Sequence, residues 1–199
     1  MRPSTLKKQQ KIIEVATKLF FEQGYPETSM DQIIEQCGGS KQTLYRYFGD
    51  KKGILVEVIT QCTEEMEAVF QFEPDSEIPL DEQLTQFGYE YIKALCSPEL
   101  LNMYRVISAE SRHDKELAAL FLSRGPHRIH DLLTDFLLSQ VKQEKLKLDD
   151  PKFACTQLLS MLRGDYFQEA LVGMDIPTDQ EMKQYASQAV KCFLYGYAA

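Results

Sequence analysis

The sequence predicts an all-α fold: a small helix-turn-helix head of about fifty residues followed by a larger helical-bundle body. Three observations predict it. Apolar residues recur at three-and-four spacing along the chain, no run alternates as a strand would, and Pro98, Pro126, Pro151 and Pro177 cut the later pattern into helix-length pieces. With 199 residues, 44% hydrophobic and 26% charged, the chain has enough apolar material for a core and is too balanced for disorder.

The first helix spans 4–23, with Ile12, Ile13, Ala16, Leu19 and Phe20 on one face. Ser29 and Gln32 form a capping box for a short second helix whose stripe is Ile33, Ile34 and Cys37, ended by Gly38 and Gly39. Ser40 caps a third, SKQTLYRYF, with Leu44 and Phe48 one turn apart and facing inward. Asp50 caps a fourth that runs to about residue 71, and FEPDSEIP reads as a loop. Further helices are expected at 80–96, 98–112, 114–124, 126–147, 151–172 and 179–198. The expected domains are 1–53, a three-helix head with helix four linking onward, and 54–199, a regulatory and dimerisation body.

Charge divides the same way. Residues 1–53 hold nine basic against six acidic side chains, net +3, and the rest hold 13 against 24, net −11. A locally basic head on an acidic body can still hold a phosphate backbone, because screening confines contacts to about 8 Å in physiological salt. Two short helices about a glycine turn, the second turning polar and aromatic side chains outward, suit the DNA major groove, roughly 12 Å wide. Lys41 and Gln42 stand near the start of that second helix, where base edges are read. Ser40, Thr43, Tyr45 and Tyr47 offer hydroxyls to phosphates, Arg46 shares the outward face, and Thr28 and Lys51 are placed to pin the backbone on either side.

Residues 8–59, which contain the run ATKLFFEQGYPETSMDQIIEQCGGSKQTLYRYFGDKKGILVEVI, resemble the DNA-binding domain of the TetR family of bacterial regulators. The resemblance implies DNA contacts from Thr28, Ser40, Lys41, Gln42, Thr43, Tyr45, Tyr47 and Lys51, and core roles for Leu44 and Phe48. Two positions depart from the family pattern: Gly39 stands where an apolar residue, often valine, is usual, and Gln42 where a small one is. The first predicts a loosened turn, the second an added base contact. The segments YRVISAESRHDKELAALFLSRGPHRIHDLLTDFLL and DDPKFACTQLLSMLRGDYFQEALVG resemble the regulatory domain of the AcrR-like branch, whose members often control efflux genes.

In the body, Phe87, Tyr91, Met103, Tyr104, Ile107, Phe121 and Phe167 can line an effector pocket, and aromatics at helical spacing equally fit a plain core. Glu110 and Arg163, in apolar surroundings, can orient a polar ligand or form a buried ion pair. The last helices carry Leu158, Leu162, Ala186, Ala189, Val190, Phe193 and Tyr197, more apolar surface than one chain needs. The resemblance implies that these helices form a four-helix bundle with a second copy.

The expected partners are therefore operator DNA, a small-molecule effector and a second copy of the chain, with repression as the usual sign in the family. The alternative is a DNA-bound adaptor that answers to a protein. No nucleophile or acid-base set stands at motif spacing, so no enzyme is expected. His127 and His130 lack a third metal ligand nearby, and the five cysteines form no CxxC, so neither metal nor cofactor is expected. No stretch approaches the roughly 18 apolar residues of a membrane span and the start leads into an amphipathic helix, so the expected location is the cytoplasm.

Overall fold

The computed structural model describes residues 3–70, 72 and 77–197. Among them the chain is helical without a β-strand, in eleven helices. They are α1 (Pro3–Gln23), α2 (Met30–Cys37), α3 (Lys41–Phe48), α4 (Lys51–Val69), α5 (Leu80–Leu95), α6 (Pro98–Glu110), α7 (Lys115–Arg124), α8 (Pro126–Lys142), α9 (Pro151–Arg163), α10 (Tyr166–Leu171) and α11 (Asp179–Tyr197).

The chain divides into two compact units. One, the head unit, comprises residues 1–63 and 102–121; the other, the body unit, comprises 64–101 and 122–199. Three helices, α4, α6 and α7, have residues in both.

In the head unit most of the predicted stripe residues are the observed core, while Ile13, Ile34 and Phe48, expected inward, are half-buried. Ile12, Ala16, Leu19 and Phe20 of α1, Ile33 of α2, Leu44 of α3, and Ile54, Leu55, Val58 and Ile59 of α4 are all buried. Full burial of one such side chain is worth about 1.5–3 kcal/mol, so α3, a helix of only eight residues, is held by tertiary packing rather than by its own propensity.

In the body unit α11 lies along α5, and α9 packs on both. Gly88 marks that junction: a Cβ there would stand 2.6 Å from Leu162 Cδ2 and 3.2 Å from Ala186 Cβ. The helix expected at 126–147 ends at Lys142 in a Schellman turn, where Lys145 N–H donates to Gln140 O and Glu144 N–H to Val141 O, both at 3.0 Å. Glu144 takes the left-handed position at φ 59° that glycine usually fills, which is why no glycine announced the stop. The helix expected at 151–172 is likewise two, α9 and α10, parted at Gly164.

Candidate functional site

Local chemistry builds α2 and α3 in turn. Ser29 Oγ accepts from Gln32 N–H at 3.2 Å while Ser29 N–H donates to Gln32 Oε1 at 2.7 Å, the complete capping box. Ser40 Oγ accepts from Thr43 N–H at 3.2 Å and starts α3. Between them Gly38 and Gly39 stand at φ 71° and 122°. A valine at Gly39 would be strained in that backbone, so this turn calls for the glycine. After α3, Asp50 Oδ1 accepts from Gly53 N–H at 2.7 Å. Gly53 lets α4 begin directly beside the end of α3, since a Cβ there would fall 1.8 Å from the Phe48 carbonyl oxygen.

The turn delivers α3 with Leu44 inward and Ser40, Lys41, Gln42, Tyr45 and Arg46 exposed; Thr43 and Tyr47 are half-buried. Lys41 Nζ is 2.7 Å from Asp31 Oδ1, and that hydrogen-bonded pair holds the Lys41 pKa above the ordinary lysine value. The Arg46 guanidinium lies 5.1 Å from the Tyr47 ring centre and donates to its hydroxyl at 3.3 Å.

Two sequence-predicted residues are placed otherwise. Thr28 is 1% exposed, its hydroxyl donating to Gly24 O at 2.8 Å and accepting from Gln23 Nε2 at 3.1 Å, so it presents nothing to a phosphate. Lys51 donates to the carbonyls of Tyr25, Pro26 and Thr28 at 2.7, 3.2 and 2.8 Å and lies over the Tyr25 ring. An ammonium has three donors, and all three are engaged. Lys51 therefore clamps the loop ahead of α2 in this structure, and burial draws its pKa below the ordinary lysine value.

Sequence reading missed three acidic partners of the head. Asp31 holds Lys41 from ten residues away, and Lys52 bridges Asp114 at 2.7 Å and Glu116 at 3.0 Å. None of these pairings has a local signature, because the spacings lie outside helical i,i+3 and i,i+4 pairs.

The nine expected effector residues divide between the units. In the body unit Phe87 stacks on Tyr91 at 5.9 Å, Tyr91 is hydrogen-bonded to Arg163, and the Arg163 guanidinium lies 5.9 Å from the Phe167 ring. Burial raises the Tyr91 pKa, with Arg163 opposing. Phe70, Phe72 and Phe136, absent from the sequence expectation, extend this cluster: Phe70 and Phe72 lie 5.3 and 5.1 Å from Phe87, and Phe72 stacks on Phe136 at 4.3 Å. Met103, Tyr104, Ile107, Glu110 and Phe121 belong to the head unit, where Tyr104 meets Phe121 edge-on at 4.9 Å. Glu110, 9% exposed, lines a cavity of about 160 Å³ beside Phe20, Tyr25 and Val106.

The expected dimer residues require a larger correction. Leu158, Leu162, Ala186, Val190 and Phe193 are at most 2% exposed and Ala189 9% within a single chain. They form the α5, α9 and α11 core of the single chain and leave little surface for a second copy to meet. The side chain of Tyr197 lies outside the described ones. The same helices turn Phe153, 58% exposed, and Tyr195, 91% exposed, outward.

Comparison with known proteins identifies two parts of the chain. Residues 12–58 match the family described as bacterial regulatory proteins, tetR family, and residues 82–199 match the AefR-like transcriptional repressor C-terminal domain. Across all of both chains, a solved TetR-family transcriptional regulator structure from Mesorhizobium loti MAFF303099 is 27% identical with a TM-score of 0.89. The flavonoid-responsive regulator FrrA is 31% identical over 96% of this chain and 97% of its own, with a TM-score of 0.84. The uncharacterized HTH-type transcriptional regulator YezE of Bacillus subtilis is 25% identical over 142 residues, 70% of this chain and 73% of YezE.

Proposed function

The chain belongs to the tetR family of bacterial regulatory proteins and is a helix-turn-helix transcriptional regulator, and from that premise we propose that it is a homodimeric repressor released from a palindromic operator by a small aromatic effector. The observation that carries this reading is the pairing, in one chain, of an outward polar α3 with an aromatic cluster that contains one polar pair, Tyr91 and Arg163. In this reading Gln42 reads base edges, Ser40, Thr43, Tyr45 and Tyr47 hold phosphates, and Lys41 and Arg46 add charge, Lys41 exchanging Asp31 for the nucleic acid.

The flavonoid response of FrrA supports a planar, phenol-bearing effector. Such a molecule suits stacking between Phe87, Tyr91 and Phe136, with Arg163 donating to a phenolic oxygen as it does to Tyr91. Two copies associate through the outward face of α9 and α11, Phe153 and Tyr195 included, and the two α3 helices then meet successive major-groove faces about 34–36 Å apart. The effector favours a conformation that breaks this spacing, and α4, α6 and α7 carry the change because each has residues in both units. A coupling of about 1–3 kcal/mol changes operator affinity roughly 5- to 150-fold. The site of action is the cytoplasm, and no described helix is long and apolar enough to cross a membrane.

The test is binding of full-length protein to a duplex selected from a random pool, with and without a panel of flavonoid aglycones. The reading expects at least one aglycone to weaken binding by that factor and to lose its effect in Arg163→Met. The exposed Val172, Met174 and Ile176, at 78, 62 and 46%, favour a second reading, a protein-responsive adaptor. DNA binding insensitive to every small molecule tried, but altered by substitution of Val172 and Met174, would select it.

A further inference from the structure

The first thirteen residues carry Arg2, Lys7, Lys8 and Lys11 and no acid; Glu14 is the first carboxylate of the chain. Lys7, Lys8 and Lys11 fall within about 100° on the wheel of α1. Of these, Lys8 has a defined position relative to the recognition turn. An ideal Cβ on Gly39 would stand 3.3 Å from both Cε and Nζ of Lys8, so the ammonium rests against the turn that precedes α3. The glycine at 39 is what admits it, because any side chain there would occupy the space Lys8 now approaches.

The start of α1 also flanks the other end of α3. Leu6, Lys7 and Gln10 line one side of a groove of about 480 Å³, with Tyr47 and Phe48 on the other. As α3 is eight residues, about 12 Å, long, the first turns of α1 reach both ends of the helix. The head's other well-placed cations already have partners: Lys41 pairs with Asp31, Lys51 with three carbonyls, and Lys52 with Asp114 and Glu116. Lys8 is exposed and makes no ion pair among the described residues.

We propose that Lys8 is a phosphate contact of the DNA-bound state, reaching the duplex backbone beside the Gly38–Gly39 turn, and that the basic start of α1 widens the DNA footprint beyond the helix-turn-helix. The proposal rests on the reading of α3 as the groove helix. It adds a contact that reports no base identity: a flexible ammonium on one phosphate contributes affinity and register.

The experiment is fluorescence anisotropy of full-length protein on a labelled random-sequence duplex of roughly 30 base pairs, between about 50 and 200 mM salt. Lys8→Gln is expected to reduce the magnitude of the log-affinity against log-salt slope by about 0.9 per bound head, which lessens the affinity lost over that range by roughly three- to four-fold. Lys8→Arg keeps the parent slope, and so does Lys18→Gln, whose lysine pairs with Glu22 instead. On a selected operator Lys8→Gln leaves base preference as it was. An unchanged slope in Lys8→Gln, or lower affinity with the parent slope, overturns the proposal while leaving the groove reading of α3 intact. A parent protein with no salt-dependent DNA binding overturns both.

Discussion

Among the described residues the head unit exposes two large hydrophobic side chains, Leu6 and Tyr45, whereas the body unit exposes eight, from Ile78 to Tyr195. On the proposed function the difference reflects what each surface is built to meet. A face that meets a polyanion is made of lysine, arginine, glutamine and hydroxyls, types that are a minority in the core, where Thr28, Thr63, Thr134 and Gln140 are buried, so residue type goes far toward separating the face from the core. A face that meets a second copy or an aromatic ligand is made of the same residues as the core. Apolar periodicity cannot tell one from the other, and Phe193 and Tyr195, two residues apart on α11, lie 2% and 91% exposed.

That contrast is broken or sharpened most strongly on α11. Phe193→Asp is expected to destabilise the chain by about 4 kcal/mol or more, because a charge replaces a buried ring, and to lower Tm by roughly 8–16 °C or prevent folding. Tyr195→Asp should instead leave a folded chain that sediments as a monomer. A folded monomer from Phe193→Asp together with an intact dimer from Tyr195→Asp would reverse the inward and outward assignments.

Two glycines compare the units by stability. Gly53→Ala in the head drives a Cβ to 1.8 Å from a backbone carbonyl, which cannot move aside; Gly88→Ala in the body meets the Leu162 side chain at 2.6 Å, which can. Denaturation should show a loss of about 3 kcal/mol for the first and a smaller one, within about 1–3 kcal/mol, for the second. Equal losses would mean that the body is packed as rigidly as the joint between α3 and α4.

Lys51→Met should cost about 1.5–3 kcal/mol of stability through three lost charge-assisted hydrogen bonds while leaving the salt slope of DNA binding at the parent value. A slope reduced by about one per head with unchanged stability would restore the phosphate role expected from sequence. The smallest effect is a gain: Glu144→Gly relieves a left-handed backbone at the end of α8 and should add about 0.5–1 kcal/mol, read as a higher denaturation midpoint.

Much of the head was legible because its signals are local. The Ser29–Gln32 box, the Ser40 and Asp50 caps and the inward Leu44 each lie within one helical turn of the residues they organise. What escaped was long-range: Lys51 reaching back 26 residues to Tyr25, Asp31 reaching Lys41, and Lys52 reaching Asp114. In the body the helices were legible and their partners were not. Phe70, Phe72 and Phe136 join Phe87 through contacts no spacing encodes, and Glu144 ends a helix with a residue that rarely takes that role.

The account stands on α3 as the helix that reads DNA, and Gln42 tests it most directly. Duplexes selected from a random pool by the full-length protein should converge on a two-fold symmetric site with half-sites about one helical turn apart. The same selection with Gln42→Ala should relax one or two base pairs in each half-site, costing about 1–3 kcal/mol per half-site on the parent's best duplex while the salt slope stays unchanged. Failure of the parent to enrich any site, or an identical site bound equally tightly by Gln42→Ala, would contradict it.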